Sequence, residues 1–247
     1  MGLEYDGSRF LGWQTQPGGG AVQDALEPAL AAIAGTPVKL TGAGRTDRGV
    51  HARLQVAHFD TAAQRPSSAW VRGVNALLPD SAAVLWSQEV PDDFHARYSA
   101  RARTYRYELL NRPVRPGLAA HHVGWFHLPL DVESMRAAAA LFVGEHDFSA
   151  FRSSECQAKS PVRTIYEFHV ETSLDRIHFT VRANAFLHHM VRNLVGTLVY
   201  VGKGKHPAQW VQELLRAKDR SKSAPTFGPQ GLYLERIEYE ARWGLPL

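Results

Sequence analysis

The segment Gly42-Ala-Gly-Arg-Thr-Asp-Arg-Gly-Val-His-Ala52 is a glycine-punctuated loop between two stretches of strand-like composition, residues 38–41 and 54–59. It places one carboxylate, Asp47, between the guanidiniums of Arg45 and Arg48. A nearby positive charge favours the ionised carboxylate, which suits a nucleophile or a charge stabiliser better than an acid. Glycines also let a large ligand approach the main chain. The competing interpretation is that Asp47 is only a turn former, and the loop alone favours neither.

The composition is that of an ordinary globular protein. The chain has 247 residues, 45% of them hydrophobic, which is enough for one large domain or two smaller ones. We find no apolar run of membrane-spanning length and no signal-peptide pattern, so we expect a cytoplasmic protein without a membrane partner. The single Cys156 excludes an internal disulfide and a multi-cysteine metal site. A net charge of +4, carried mostly by arginine, is compatible with a polyanionic partner but does not establish one.

Hydrophobic periodicity predicts an α+β protein in which helices cover one face of a largely antiparallel sheet. The predicted helices span residues 22–33, 67–77, 131–143, 186–201 and 207–218. The predicted strands span residues 3–5, 9–13, 38–41, 54–59, 82–90, 162–171, 177–183 and 232–239, the first two forming a hairpin around Asp6-Gly7. Pro113 and Pro116 mark a boundary between two similarly ordered halves, residues 1–110 with the Asp47 loop and residues 111–247.

Arginines and tyrosines alternate through residues 94–107, which end in an extended run. Positive charge follows phosphates while aromatic faces stack on unpaired bases, so the combination suits RNA. The alternative is an ordinary strand with a solvated arginine face. The members are Arg97, Tyr98, Arg101, Arg103, Tyr105, Arg106 and Tyr107.

Arg192 interrupts the apolar helical segment 186–201. A buried arginine is costly unless a carboxylate meets it, so it lies either on the exposed flank of the helix or beside an acid. The histidine pairs at residues 121–122 and 188–189 lack the ligand pattern of a zinc site, and structural or RNA-contacting roles suit them better. Nucleotide-binding fingerprints and a serine-nucleophile elbow are absent from the sequence.

Taken together, these motifs resemble the TruA family of tRNA pseudouridine synthases, and the resemblance extends over nearly the whole chain. Besides the loop at 44–52, the matching segments are Glu4-Tyr-Asp-Gly with Gly12-Trp-Gln, Pro91-Asp-Asp-Phe-His-Ala-Arg97, Arg103-Thr-Tyr-Arg-Tyr107, Gly144-Glu-His-Asp-Phe148, Asn184-Ala-Phe-Leu-His-His-Met-Val-Arg-Asn193 and Gly231-Leu-Tyr-Leu234. The fold that the resemblance implies is two similar α/β halves, with largely antiparallel sheets joined around a central basic cleft, usually in a homodimer.

The implied activity is isomerisation of uridine to pseudouridine at the thirty-eighth to fortieth nucleotides of the tRNA anticodon stem-loop, with no metal or organic cofactor. Asp47 matches the catalytic aspartate, and Arg45 matches the arginine that helps to extrude the nucleotide. Tyr105 matches the tyrosine that stacks on the target base, and Arg192 matches the arginine that pairs with the aspartate. Leu232 matches an apolar residue beneath the base.

One departure and two alternatives qualify this expectation. Arg48 stands where the family commonly has a small residue, so it either adds a phosphate contact or points to solvent. The arginine and tyrosine alternation would also suit a tRNA-binding or chaperone protein without turnover. A hydrolase that depends on Asp47 would need a second acid or water-activating group, which the sequence does not reveal.

Overall fold

The computed structural model describes residues 1–247, which divide into two compact units: residues 1–103 with 233–247, and residues 104–232. The four α-helices are α1 (Val22–Ala34), α2 (Val132–Ala140), α3 (Met190–Gly202) and α4 (Trp210–Ala217). The strands are β1 (Gly2–Tyr5), β2 (Thr41–Gly42), β3 (His51–His58), β4 (Ala82–Trp86), β5 (Ala102–Asn111), β6 (Gly124–Phe126), β7 (Gly144–Asp147), β8 (Val162–Ser173), β9 (Arg176–Ala183) and β10 (Leu232–Glu238). None of the helices is long and apolar enough to cross a membrane.

In the first unit the strand order is β4-β1-β3-β10, and β2 adds to β3. β1 is antiparallel to both β3 and β4, whereas β10 is parallel to β3. The predicted helix at 22–33 is confirmed as α1, which ends where Gly35 adopts a φ of 78°, a left-handed cap that glycine tolerates best. Leu26 and Leu30 of α1 are buried, so the predicted apolar stripe forms part of this unit's core.

Three local predictions in the first unit are wrong. Residues 9–13 do not form the second arm of a hairpin, because the Asp6 side chain accepts a hydrogen bond from the Ser8 amide and starts a tight turn instead. The strand predicted at 38–41 shrinks to β2. The helix predicted at 67–77 is a short, irregular one with a π-turn at Ala69–Gly73.

In the second unit the strand order is β5-β9-β8-β7, and β6 lies parallel beside β5. The predicted hairpin is confirmed: Ser173 of β8 faces Arg176 of β9, and Leu174 takes up a left-handed φ of 56° in the turn. Asp131 caps α2 as predicted, accepting hydrogen bonds from the amides of Glu133 and Ser134. The helix predicted from residue 186 begins only at Met190, because His189 has a φ of 62°.

The α+β class with largely antiparallel sheets is therefore confirmed. The functional division into residues 1–110 and 111–247 stays a prediction, since the compact units describe packing and not function. They assign β10 from Tyr233 onward to the first unit, although it is last in the chain.

Candidate active site

The loop that carries Asp47 runs from β2 to β3 and is held by buried hydrogen bonds on its inner side. Gln55, which is fully buried, donates from Nε2 to the Gly44 carbonyl at 2.7 Å. The hydroxyls of Tyr5 and Thr46 are hydrogen-bonded at 2.8 Å, and the Trp13 amide donates to the Thr46 carbonyl at 3.0 Å. Burial raises the pKa of Tyr5 to about 12, so this hydroxyl stays neutral at physiological pH. The backbone before Asp47 is therefore fixed.

Two glycines let neighbouring segments come within contact distance of this loop. Gly12 has a φ of 98°, and a Cβ on it would lie 2.9 Å from the Thr46 carbonyl oxygen. A Cβ on Gly42 would lie 2.6 Å from the Trp13 indole ring. Larger residues at either position would push the loop away from its support.

Asp47 itself is half-buried, and its carbonyl accepts a hydrogen bond from the Val50 amide at 3.1 Å. Arg45 and Arg48 are exposed on either side of the buried Thr46, and their predicted pairing with Asp47 stays a prediction. Thr46, which lies between the two arginines in the sequence, is only 6% exposed, so its side chain points into the protein while those of Arg45 and Arg48 point outward. The two guanidiniums are thus available to solvent and to an anionic ligand.

Tyr105 lies on β5 in the second unit and is 9% exposed. Its ring meets Phe186 edge-on, with centroids 5.0 Å apart and planes at 85°. Tyr107, on the same side of the strand, is fully buried and donates to the Gly228 carbonyl at 2.8 Å. Burial raises the pKa of Tyr107, and Arg192 opposes this in part. Tyr105 and Tyr107 are therefore core side chains of the second unit and do not form a solvated surface.

Arg192 is half-buried on α3, so the exposed-flank interpretation is wrong. Its Nε donates to the Phe227 carbonyl at 2.8 Å, and the Phe227 amide donates back to the Arg192 carbonyl at 3.3 Å. Gly196, one turn further along α3, allows this loop to lie close, because a Cβ there would be 2.4 Å from the Pro225 carbonyl oxygen. The loop before β10 thus fixes the direction of the guanidinium.

A buried polar network that the sequence analysis missed holds the same loop on α3. Asn193 is fully buried; its Nδ2 donates to the Phe151 carbonyl at 2.7 Å, and its Oδ1 accepts from Thr226 Oγ1 at 2.7 Å. Arg220 donates to Asn193 Oδ1 at 3.1 Å and to the Ala224 carbonyl at 2.9 Å. Burial lowers the pKa of Arg220. An asparagine inside an apolar helical stripe was the available signal.

Leu232, the first residue of β10, is 5% exposed. The preceding Gly231 is packed so tightly that a Cβ would lie 2.4 Å from the Glu108 carbonyl oxygen. Of the five predicted site residues, the structure therefore places Arg45 and Asp47 on one loop of the first unit. Tyr105, Arg192 and Leu232 lie in the second unit, each held by its own local packing.

Comparison with known proteins identifies the class to which this fold and these residues belong. The sequence model of the family described as tRNA pseudouridine synthase matches residues 3–99 and 138–240. The chain belongs to this family, whose members are isomerases. Asp47, Arg45, Arg192 and Leu232 fall inside the matched residues, whereas Tyr105 falls between them.

Particular relatives match the whole chain. It is 58% identical to tRNA pseudouridine synthase A of Dechloromonas aromatica over 246 residues, covering 100% of this chain and 94% of that protein. It is 56% identical to the protein of the same name from Burkholderia thailandensis, covering 100% and 91%. Among solved structures, the archaeal box H/ACA sRNP Nop10-Cbf5 complex matches 81% of this chain and 44% of the other, with a TM-score of 0.38 and 16% identity.

Proposed function

We propose that this protein isomerises uridine to pseudouridine at the thirty-eighth to fortieth nucleotides of the tRNA anticodon stem-loop. The family membership of the chain supports the reaction type and the tRNA substrate. The observation that carries the proposal is the Asp47 loop, because its backbone is anchored by Tyr5, Gln55 and Trp13 while Arg45 stays exposed. A fixed carboxylate next to an exposed guanidinium suits a flipped-out nucleotide.

In this proposal Asp47 initiates cleavage of the bond between ribose C1′ and uracil N1. The freed uracil turns, a bond forms between C1′ and C5, and the proton on C5 is lost while N1 regains one. The overall change is an isomerisation, so no atom is gained and no redox partner is required. Attack on the sugar, attack on the base and removal of a sugar proton all use an ionised Asp47.

The other site residues bind the substrate. Arg45 assists extrusion of the nucleotide, since an exposed guanidinium can hold a phosphate and replace lost stacking. Tyr105 stacks on the target base, Leu232 supplies an apolar surface beneath it, and Arg192 provides the positive charge that pairs with the Asp47 carboxylate. The fixed orientation of Arg192 on the Phe227 carbonyl supports a role that depends on direction. We further propose that the protein acts in the cytoplasm as a homodimer.

The direct test of this function uses unmodified tRNA transcripts that carry uridine at only one of the three positions. We expect the wild-type protein, without added cofactor, to form pseudouridine in each, detected by chemical mapping. A transcript with uridine elsewhere in the same loop and none at the three positions serves as the control. Modification of the control alone would overturn the assignment to the thirty-eighth to fortieth nucleotides. Binding without any modification would favour an RNA-binding protein that lacks turnover.

A further inference from the structure

Tyr98 is an exposed aromatic side chain that the reaction proposed above does not use. It is 76% exposed, against 9% for Tyr105 and full burial for Tyr107, so it alone among the tyrosines of residues 94–107 offers its ring to solvent. An exposed aromatic ring that lies outside any apolar patch has a face available for stacking.

The ring of Tyr98 is held in place from below by two histidines. Its centroid lies 4.3 Å from that of His95, with planes at 33°, and the His95 ring lies 4.6 Å from that of His58. His95 Nδ1 accepts hydrogen bonds from the amides of Arg97 at 3.1 Å and Tyr98 at 3.3 Å. His58 Nδ1 accepts from the Ala96 amide at 3.2 Å. These hydrogen bonds and ring contacts restrict the Tyr98 side chain before any ligand binds. Stacking of a ligand on Tyr98 therefore costs little further side-chain conformational entropy.

One exposed guanidinium lies beside this ring. The Arg97 guanidinium carbon lies 5.8 Å from the centre of the Tyr98 ring, and Arg97 is itself exposed. Among the other charged residues of this segment, Arg101 is ion-paired with Glu240 and Asp93 lies 3.8 Å from Arg242, while Asp92 is exposed. An aromatic face beside a free guanidinium matches a nucleobase and its phosphate.

The same segment is linked to the loop that carries Asp47. Arg103 Nη2 donates to the Arg97 carbonyl at 2.8 Å and to the Ala43 carbonyl at 3.0 Å, where Ala43 precedes the loop's Gly44. One side chain thus bridges the segment bearing Tyr98 and the segment bearing Asp47. A ligand bound on Tyr98 would therefore be held at a fixed place relative to the Asp47 loop.

We propose that Tyr98 is a stacking platform for an unpaired base of the tRNA, with Arg97 contacting the adjoining phosphate. This rests on the proposed function only in taking tRNA as the ligand. Stacking is tolerant of sequence because every base has a flat face, so the platform would serve many tRNAs equally. It would strengthen substrate binding without entering the chemical step.

The test compares Tyr98→Ala, Tyr98→Leu and Tyr98→Phe with wild type in equilibrium binding to unmodified tRNA and in steady-state tritium release from 5-tritiated uridine. Tyr166→Ala is the matched control, since Tyr166 is also exposed, at 42%, and has an arginine, Arg182, over its ring at 4.9 Å. We expect Tyr98→Ala and Tyr98→Leu to weaken binding roughly 5- to 100-fold and to raise KM with little change in kcat. Tyr98→Phe should bind like wild type, and so should the control.

The salt dependence of binding separates stacking from charge. Arg97→Gln should reduce the slope of log Kd against log salt by about one, whereas Tyr98→Ala should leave the slope unchanged. Binding by Tyr98→Ala within about twofold of wild type, full rescue by leucine, or an equal loss in Tyr166→Ala would overturn the platform. Failure of wild type to bind tRNA would also overturn it. Tight wild-type binding with no tritium release would instead overturn the proposed function and leave the platform to be judged from binding alone.

Discussion

The Asp47 loop in the first unit and the α3 segment bearing Arg192 in the second unit present charged side chains in different ways. Hydrogen bonds from neutral groups hold the Asp47 loop in place. One example is the Gln55 side-chain amide, which donates to the Gly44 carbonyl. The segment bearing Arg192 is supported by a buried network that includes a second guanidinium, Arg220, on Asn193. Each hydrogen bond of the Asp47 loop can be lost singly, whereas removal of the Asn193 amide takes away three hydrogen bonds at a fully buried position. We therefore expect the second region to be the more sensitive to mutation.

The largest effect on stability is expected from Asn193→Ala. It leaves the Phe151 carbonyl without its side-chain donor and removes one acceptor of Arg220, which keeps its bonds to Ala224 and Thr226, so it should lower the free energy of unfolding by about 1–3 kcal/mol. Because Thr226 and the loop that orients Arg192 lose their anchor, turnover of the folded variant should fall as well. Urea unfolding and tritium release measure the two effects.

Asn75→Ala is the matched control for that comparison. Asn75 also bridges backbone groups, accepting from the Val84 amide at 2.7 Å and donating to its carbonyl at 2.9 Å, but it supports β4 rather than a proposed site residue. It should lose stability while keeping its kcat. Equal loss of kcat in both folded variants would show that Asn193 has no specific connection to Arg192.

Gly12→Ala tests the support of the Asp47 loop. Gly12 has a left-handed φ, and an added Cβ would press on the Thr46 carbonyl. The substitution should therefore lower the free energy of unfolding by about 1–3 kcal/mol, and it should lower kcat because the loop must shift. Gly18→Ala is the control, since Gly18 has a similar φ of 96° but nothing within 4 Å of the added Cβ. Similar kcat values in the two variants would contradict a role for close packing in placing Asp47.

Tyr5→Phe removes the hydroxyl that is hydrogen-bonded to Thr46 at 2.8 Å and to Gln55 at 3.5 Å, and it should lower the free energy of unfolding by about 1 kcal/mol at neutral pH. Burial raises the folded pKa of Tyr5 to about 12, above the unfolded value of roughly 10. The stabilisation is therefore complete below pH 10 and is lost as pH rises toward 12. The difference in the free energy of unfolding between wild type and Tyr5→Phe should therefore narrow over that window.

The smallest effects on stability are expected from Arg45→Gln and Arg48→Gln, each within about 0.5 kcal/mol, because both side chains are exposed. Their activities should separate them. Arg45→Gln should lower kcat/KM by roughly tenfold or more if it aids extrusion, and Arg48→Gln by less than about threefold. Equal losses would assign Arg48 a phosphate contact of its own.

The sequence predicted elements whose signals are local. The α1 stop at Gly35, the Asp131 cap and the hairpin of β8 and β9 all depend on neighbours in the chain, and all three are confirmed. The prediction of a strand at residues 9–13 is wrong because Asp6 starts a tight turn, and Gly7 of that turn packs against the Val50 carbonyl, a contact between segments far apart in sequence. The alternation of arginine and tyrosine in residues 94–107 could not show which rings are buried. In the structure Tyr105 and Tyr107 face the core, whereas Tyr98 faces solvent.

The candidate site shows the same limit. Charge and glycine spacing identified Asp47 as a candidate, but they could not show that Arg45 and Arg48 lie exposed on either side of a buried Thr46. The network around Asn193 could not be predicted, because its partners Phe151, Arg220 and Thr226 lie 27 to 42 residues away in the sequence. What positions a site residue is mostly non-local packing, which no short motif records.

The most direct test of the account is the rate of tritium release from 5-tritiated tRNA by Asp47→Asn, measured at saturating enzyme with tRNA binding measured in parallel. Asp80→Asn, an exposed carboxylate outside the loop, is the control for loss of one negative charge. We expect Asp47→Asn to lose activity on the order of 1,000-fold or more while binding tRNA within about threefold of wild type, and the control to match wild type. Release by Asp47→Asn at the wild-type rate would contradict the assignment of Asp47 as the catalytic residue.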